Sequence, residues 1–292
     1  MLKERLNAAR KKFKDLDIPA SDAEHIAAFI LGTERMQLHA REFEFDLDQE
    51  REFEELMQQR LKGIPLQYIT GNAPFRYLVF DVGPGVLIPR PETELLVDAA
   101  LVEIERIQSD ANWSQQPTSV VDLGAGSGAI AISIAHESKL RRMPVQVVAV
   151  ENSPDALIWL KRNIAKHEVD VRVIESRVEA ALQGVKCDLV VANPPYIPNE
   201  LQTDLPIELS FEPSSSLYGG KAGLDSPFAF IEAASRILKS GAMLLMEHHE
   251  TQFEALAQKM NSDFSDLLSY EDLNQRPRWI SARNQARVDS NG

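Results

Sequence analysis

The apolar residues at the start of the chain recur at the spacing of an α-helix over residues 2–61. The first helical stripe consists of Leu2, Leu6, Ala9 and Phe13. Since few strand-like runs interrupt this pattern, it predicts a small helical domain, which we place at residues 1–73. From residue 74 onward, short apolar runs flank Gly83-Pro84-Gly85, a pattern typical of a β-hairpin with its turn at the glycines. We assign residues 74–90 to a hairpin linker.

Beyond a helix that starts near Pro91, short β-branched runs alternate with helical ones through the predicted third region, residues 91–292. The predicted strands are 119–123, 145–150, 171–175, 188–192 and 242–247. The predicted helices between them are 129–138, 154–166 and 226–238. This alternation is typical of an α/β fold with a doubly wound, mostly parallel, Rossmann-like sheet. Such sheets bind ligands at the carboxyl ends of their strands, so we expect the chemistry in the loops that follow them.

A glycine-rich loop follows the first of these strands and opens a helix. Glycines let the backbone approach a nucleotide-type ligand closely, although the spacing also fits the dinucleotide loop of dehydrogenases. A carboxylate at Asp122, just before the loop, would repel a pyrophosphate but suits the cationic amino-acid end of S-adenosyl-L-methionine. The residues that we assign to this cofactor loop are Asp122, Gly124, Ala125, Gly126, Ser127 and Gly128.

The next predicted strand ends at an acid, Glu151. A carboxylate at that position can accept hydrogen bonds from both hydroxyls of a ribose, so we assign Glu151 to the cofactor as well. Taken singly, Asp122 and Glu151 could be ordinary strand-end acids. Their combination with the glycines favours the cofactor site.

The fourth predicted strand runs into Asn193-Pro194-Pro195-Tyr196, which we assign to catalysis and substrate binding, with Asn193 also next to the cofactor. The motif indicates a planar nitrogen as methyl acceptor, because the delocalised lone pair of such a nitrogen must be aimed at the methyl carbon. Asn193 can accept one N–H through its side-chain oxygen, and the Pro194 carbonyl can accept the other. Two prolines in succession hold that carbonyl in a fixed direction. We expect the Tyr196 ring to position the acceptor rather than to transfer a proton.

Composition narrows the class of partner. The formal net charge of -13 disfavours a protein that binds nucleic acid directly over a wide surface. Two basic clusters, Arg10-Lys11-Lys12-Phe13-Lys14 and Arg276-Pro277-Arg278-Trp279, are interpreted as a solvated helix face and an edge strand. With no signal-like or membrane-spanning segment and a single cysteine, the sequence predicts a cytoplasmic protein that binds no metal.

The motifs together resemble those of class I methyltransferases, and specifically the protein-(glutamine-N5) methyltransferases that modify peptide chain release factors. Beyond the cofactor loop and Asn193-Pro194-Pro195-Tyr196, the resemblance spans nearly the whole chain. Its other segments are Asp22-Ala23-Glu24, Pro65-Leu66-Gln67-Tyr68-Ile69-Thr70-Gly71, Val86-Leu87-Ile88-Pro89-Arg90-Pro91-Glu92-Thr93-Glu94, Phe211-Glu212-Pro213 and Gly219-Gly220 with Gly223-Leu224.

The resemblance implies a helical domain that helps to recognise a release factor, whose Gly-Gly-Gln loop offers its glutamine amide to Asn193 and Pro194. We expect a monomer with no membrane partner. The sequence departs from the family pattern at Arg177 and Val178, where many relatives carry an acid and an aromatic residue beside the adenine. It departs again in Glu247-His248-His249, which has histidine where relatives often have glycine. Residues 197–225 form a long loop that we interpret as a lid over the substrate.

Three alternatives follow from the same residues. A ribosomal protein could supply the glutamine. An adenine-N6 DNA methyltransferase meets the same geometric demand, but it would have to flip its base out of the duplex and would bind DNA in a salt-sensitive way. A binding module without turnover would keep the fold, and it would be indicated by failure to bind S-adenosylmethionine.

Overall fold

The computed structural model describes residues 2–16, 18–202 and 205–285, and this part of the chain forms two compact units. The first unit runs to Asn72 and also includes Pro206–Phe211. The second begins at Ala73 and resumes at Glu212.

The first unit is helical. In the described residues its α-helices are α1 (Leu2–Lys14), α2 (Ser21–Ile30), α3 (Gln37–Ala40), α4 (Leu47–Leu61) and α5 (Leu66–Thr70). Their apolar faces meet in a core whose largest buried side chains include Phe13, Ile26 and Phe53. Asp46 fixes the start of α4, because its carboxylate accepts hydrogen bonds from the backbone of Asp48 and Gln49 at 3.0 and 2.9 Å.

A buried arginine joins a distant segment to this helical unit. Arg60, at the end of α4, is 4% exposed and donates to Asp22 at 2.8 Å and to Glu208 at 3.0 Å. Glu208 lies in the 3₁₀ helix Ile207–Phe211. A buried guanidinium needs such partners, so this interaction fixes the segment to the helices.

A hairpin is present near this position, but it is not the predicted one, because no strand follows Gly83-Pro84-Gly85 directly. Strands β1 (Asn72–Phe75) and β2 (Leu78–Asp81) pair across Arg76, whose φ of 52° makes the turn. Gly83-Pro84-Gly85 instead passes against a helix of the second unit: a Cβ on Gly83 would lie 2.6 Å from the Trp159 ring. The glycines therefore serve close packing and not the hairpin turn.

The second unit contains a seven-stranded sheet in the described residues. Its strands are β3 (Thr118–Leu123), β4 (Val145–Glu151), β5 (Val171–Glu175), β6 (Cys187–Ala192), β7 (Leu238–Glu247), β8 (Phe264–Glu271) and β9 (Pro277–Asn284). Its helices are α6 (Glu94–Gln108), α7 (Ala129–Leu140), α8 (Pro154–His167), α9 (Ser214–Leu217), α10 (Asp225–Ile237) and α11 (Phe253–Met260). Across the described ranges, no helix combines the length and the apolar character needed to cross a bilayer.

The strand order, β5-β4-β3-β6-β7-β9-β8, confirms the predicted doubly wound sheet. Strands β3 to β7 are parallel, and the chain reverses its winding direction between the neighbours β3 and β6. Leu123 is paired with Val150 on one side and with Ala192 on the other, so β3, β4 and β6 end at the same level. Their following loops consequently meet at one edge, at the topological switch point.

One interpretation of the sequence was wrong at this sheet. The basic cluster that contains Arg276 and Arg278 was expected to form an edge strand, but β9 lies between β7 and β8 and pairs antiparallel with both. Burial explains the position, because Ile280 and Ala282 of β9 are 0% exposed. The edge is β8.

Candidate active site

A cavity of about 430 Å³ lies at the carboxyl ends of the strands of the second unit. Loops after four neighbouring strands line it: Gly124 and Gly126 after β3, Glu151 and Asn152 at β4, Ser176, Arg177 and Val178 after β5, and Asn193 and Pro195 after β6. Its size is within the range of small-molecule and cofactor sites.

The glycine loop forms one wall. Gly124 has a φ of +72°, and a Cβ there would lie 2.9 Å from the Phe230 ring, so both the backbone conformation and the space require glycine. Gly126 has a φ of +56° and donates its N–H to Glu151 Oε2 at 2.8 Å. Of the other residues predicted for this loop, Ala125, Ser127 and Gly128 do not line the cavity; they form the turn that leads into α7.

Asp122 lies beneath this loop and is fully buried. Its Oδ2 accepts from the backbone N–H of Ala131 at 3.1 Å, while its Oδ1 has no hydrogen-bond partner among the described residues. Burial raises the pKa of Asp122 to about 7; the Ala131 N–H opposes this rise and the charge of Glu151 adds to it. The residue predicted to face the cationic end of a cofactor is thus behind the cavity wall rather than on its surface.

Glu151 is oriented by backbone donors. Its Oε2 accepts from Gly126, and its Oε1 accepts from the N–H groups of Asn152 and Ser153, both at 2.8 Å. The carboxylate is 7% exposed and lines the cavity. A carboxylate has about four acceptor positions and three are used here, so Glu151 keeps about one for a hydroxyl group of a ligand.

The predicted acceptor motif begins at the end of β6. Asn193 lines the cavity, and its Nδ2 donates to Thr93 Oγ1 at 3.0 Å. Pro194 is buried and Pro195 lines the cavity. The Tyr196 hydroxyl donates to Glu247 Oε1 at 2.8 Å. Burial, followed by the charge and hydrogen bond of Glu247, raises the pKa of Tyr196 above its usual range, which disfavours proton transfer by the phenol.

Sequence reasoning did not assign roles to Thr93 and Glu247. Thr93 lies in the 3₁₀ helix Pro91–Thr93 that precedes α6, and Glu247 ends β7. The Thr93 hydroxyl donates to Glu247 Oε2 at 2.6 Å, so Glu247 holds both Thr93 and Tyr196. The available signal was that Glu247, like Glu151, is an acid at the tip of a strand in a doubly wound sheet.

Two further anchors support the loops around the cavity. The carboxylate of Glu212 accepts from the backbone N–H of Ile88 at 2.9 Å and from the Arg90 guanidinium. The Gln252 amide donates to the carbonyls of Tyr196, Ala222 and Gly223 at 2.9, 3.0 and 3.0 Å. Most of these groups are buried, so the hydrogen bonds fix the backbone on both sides of the acceptor motif.

The paired histidines have structural contacts. His248 is fully buried and its Nδ1 lies 2.7 Å from the carbonyl oxygen of His249, where it donates. The described residues contain no group of three or more His, Cys, Asp or Glu side chains placed to hold a metal ion.

The sheet order and the position of the glycine loop define the class I methyltransferase architecture. A structure of similar fold is the T. thermophilus 16S rRNA N2 G1207 methyltransferase in complex with AdoMet and guanosine, with a TM-score of 0.50 and 19% identity. The matched region covers 73% of this chain and 50% of the chain of that methyltransferase. Residues 104–211 match the methyltransferase small domain, and residues 4–71 match the PrmC N-terminal domain.

Similarity across the whole chain identifies the family. The release factor glutamine methyltransferase of Streptomyces coelicolor is 36% identical over 94% of this chain and 95% of its own length. The release factor glutamine methyltransferase of Salmonella typhimurium is 34% identical over 95% of this chain and 97% of its own length. The chain therefore belongs to the release factor glutamine methyltransferase family and is a methyltransferase.

Proposed function

We propose that this enzyme transfers a methyl group from S-adenosylmethionine to the N5 side-chain amide nitrogen of the glutamine in the Gly-Gly-Gln motif of peptide chain release factors. The observation that carries this proposal is the Asn193 amide, which lines the cavity and is held from behind by Thr93 at 3.0 Å. Family membership supports the substrate class.

The residues around the cavity fit the cofactor. The wall at Gly124 has no room for a side chain, and Glu151 retains about one acceptor position for a ribose hydroxyl. Asp122 Oδ1 is a buried carboxyl oxygen with no partner in the described ranges. We assign the cationic amino-acid end to the side of Asp122 and the adenine to the wall formed by Arg177 and Val178. When bound, S-adenosylmethionine supplies a methyl group on a positively charged sulfur.

Asn193 and Pro194 position the acceptor nitrogen. The side-chain oxygen of Asn193 accepts one N–H of the glutamine amide, and the carbonyl of Pro194 accepts the other. Two fixed acceptors orient the nitrogen lone pair and stabilise the positive charge that develops on nitrogen as the N–C bond forms. The C–S bond of the methyl donor breaks in the same step, S-adenosylhomocysteine leaves, and the nitrogen gives up one proton to solvent. Pro195 contributes a rigid wall, and Tyr196 positions the substrate while its hydroxyl stays bonded to Glu247.

The test is mass spectrometry of an unmethylated release factor after incubation with the enzyme and S-adenosylmethionine. We expect one added methyl group, located by fragmentation on the glutamine of the Gly-Gly-Gln peptide. No methyl group on that glutamine, with cofactor binding demonstrated, would refute the proposal. Ribosomal proteins and DNA, in that order, would then be assayed as substrates.

Asn193→Ala tests the assigned role of the motif in the same assay. Removal of one preorganised hydrogen-bonding partner should lower kcat by about 100-fold or more, while the Kd for S-adenosylmethionine stays near the wild-type value. Calorimetric titration with the cofactor provides the second measurement. An equal loss of cofactor affinity would show that Asn193 serves the cofactor and not the acceptor.

A further inference from the structure

Four polar side chains behind the cavity form a continuous chain of hydrogen bonds. Asn193 Nδ2 donates to Thr93 Oγ1 at 3.0 Å, Thr93 Oγ1 donates to Glu247 Oε2 at 2.6 Å, and Tyr196 donates to Glu247 Oε1 at 2.8 Å. Thr93 and Glu247 are 4% and 1% exposed. We call these four residues the Glu247 relay.

The direction of each hydrogen bond in the relay determines the direction of the next one. Thr93 donates its single hydroxyl proton to Glu247, so that oxygen has no further proton to give. The Thr93 oxygen then acts as an acceptor towards Asn193, and only the NH₂ end of the Asn193 amide can face it. The Asn193 oxygen is therefore turned away from Thr93.

We propose that Glu247 and Thr93 are positioning residues that fix the orientation of the Asn193 amide and so make the pocket select a side-chain amide over a carboxylate of the same shape. This inference rests on the proposed function and adds the origin of its specificity. Glutamine offers N–H donors to the Asn193 oxygen. Glutamate at the same position would set acceptor against acceptor and leave both groups without a partner.

The charge environment of Glu247 supports a role beyond packing. The carboxylate is deeply buried, yet it has no salt bridge with any described residue, and its two oxygens are used by Thr93 and Tyr196. Burial raises the pKa of Glu247, the hydrogen bonds from Thr93 and Tyr196 and the charge of Arg278 oppose this rise, and Glu92 adds to it. A buried carboxylate without a salt bridge is costly, so its hydrogen bonds to the residues of the site indicate a functional position.

Without the relay, the Asn193 amide is free to turn. The two ends of a primary amide are nearly isosteric, so a half-turn about the last side-chain bond would present NH₂ to the cavity. A pocket with that orientation would donate to a carboxylate. Loss of the Thr93 hydroxyl should therefore change the preference of the pocket and not only its activity.

The test compares Thr93→Val, which keeps the shape but removes the hydroxyl, with Thr93→Ser, which restores it. Thr118→Val is the matched control, because Thr118 is also a buried threonine but lies at the amino end of β3, away from the cavity. Each protein is titrated, in the presence of S-adenosylhomocysteine, with a release factor and with the same factor carrying glutamate in place of its acceptor glutamine. The measured quantity is the Kd for the glutamate-bearing factor divided by the Kd for the glutamine-bearing factor. We expect this ratio to fall by about 10- to 100-fold in Thr93→Val and to recover in Thr93→Ser.

The orientation itself is measured by NMR of the Asn193 side-chain amide, assigned by its disappearance in Asn193→Asp. One amide proton should be protected from solvent exchange in wild type and in Thr93→Ser, and should lose protection in Thr93→Val. If Thr93→Val keeps the wild-type Kd ratio, with or without the protected proton, the inference is wrong. If wild type fails to methylate glutamine while Thr93→Val still loses the protected proton, the proposed substrate is wrong and the assigned orientation stands.

Discussion

At the scale of single residues, Asp122 has an unusual environment for a carboxylate. It is fully buried, one of its oxygens has no partner among the described residues, and burial raises its pKa from 3.8 to about 7. Burial of a carboxylate with a single backbone donor destabilises its ionised form. Its burial therefore costs the folded protein stability at neutral pH.

Asp122→Asn should remove this cost at neutral pH. The folded protein binds the Asp122 proton more tightly than the unfolded chain, so the stabilising contribution is complete below 3.8 and is lost as the pH rises through about 7. The loss in the free energy of unfolding is on the order of 2–4 kcal/mol. Urea unfolding at pH 5 and pH 8 should show that Asp122→Asn gains stability relative to wild type as the pH increases.

Asp170→Asn is the control for that experiment, because Asp170 is exposed. The difference between this variant and wild type should be nearly the same at both pH values. A parallel pH dependence for wild type and Asp122→Asn would mean that Asp122 is ionised in the folded protein throughout this range.

At the scale of elements, the segment before α6 is fixed by one buried carboxylate. Glu212 holds the backbone of Ile88 and the side chain of Arg90, and the same segment continues into Thr93 of the relay. The Ile88 to Glu94 motif seen in the sequence thus has a support function at Arg90 and a positioning function at Thr93. Both functions depend on partners that are distant in the chain.

Glu212→Gln should destabilise this segment. A glutamine can accept one of the two hydrogen bonds but turns its NH₂ group towards the other donor, which leaves a buried group without a partner. We expect a loss of about 1–3 kcal/mol in the free energy of unfolding, measured by urea denaturation. Glu232→Gln, at an exposed glutamate paired with Lys259, should change stability by less than about 1 kcal/mol. Equal effects of the two substitutions would contradict a structural role for Glu212.

At the scale of the whole molecule, each compact unit has its own core. Phe13 is fully buried in the helical unit and Leu160 is fully buried in the sheet unit. A unit with its own core can unfold in its own transition. The cofactor residues that we assign all lie in the sheet unit, so the ligand should act on that unit.

Scanning calorimetry of Phe13→Ala and Leu160→Ala should separate the two transitions. Each substitution removes a buried side chain and should lower the stability of its own unit by about 2–5 kcal/mol. Addition of S-adenosylmethionine should raise only the transition that Leu160→Ala lowers. A single transition, lowered by both substitutions and raised by the cofactor, would show that the units unfold together.

The five parallel strands of the sheet could be predicted because their signals are local, whereas β8 was not predicted. The β-branched runs lie within four residues of the observed strand ends, and the glycine loop and Asn193 follow strands that the pattern identifies. The errors occurred at residues whose role depends on contacts with segments that are distant in the chain. Gly83 and Gly85 indicated a hairpin; they do form a turn, but no strand follows it directly, and their small size serves packing against α8. Arg276 and Arg278 indicated an edge strand, but β9 lies between β7 and β8.

The sequence by itself determined the fold class and the places of the glycine loop and of Asn193-Pro194-Pro195-Tyr196 after their strands, because each depends on residues that are close together in the chain. Only the tertiary structure decided how Asn193 is oriented. Thr93 lies 100 positions before Asn193, and Glu247 lies 154 positions after Thr93. The sheet places these three side chains within hydrogen-bonding distance, and no periodicity or spacing in the sequence encodes that contact. The donor-acceptor direction at the site is therefore a property of the folded chain.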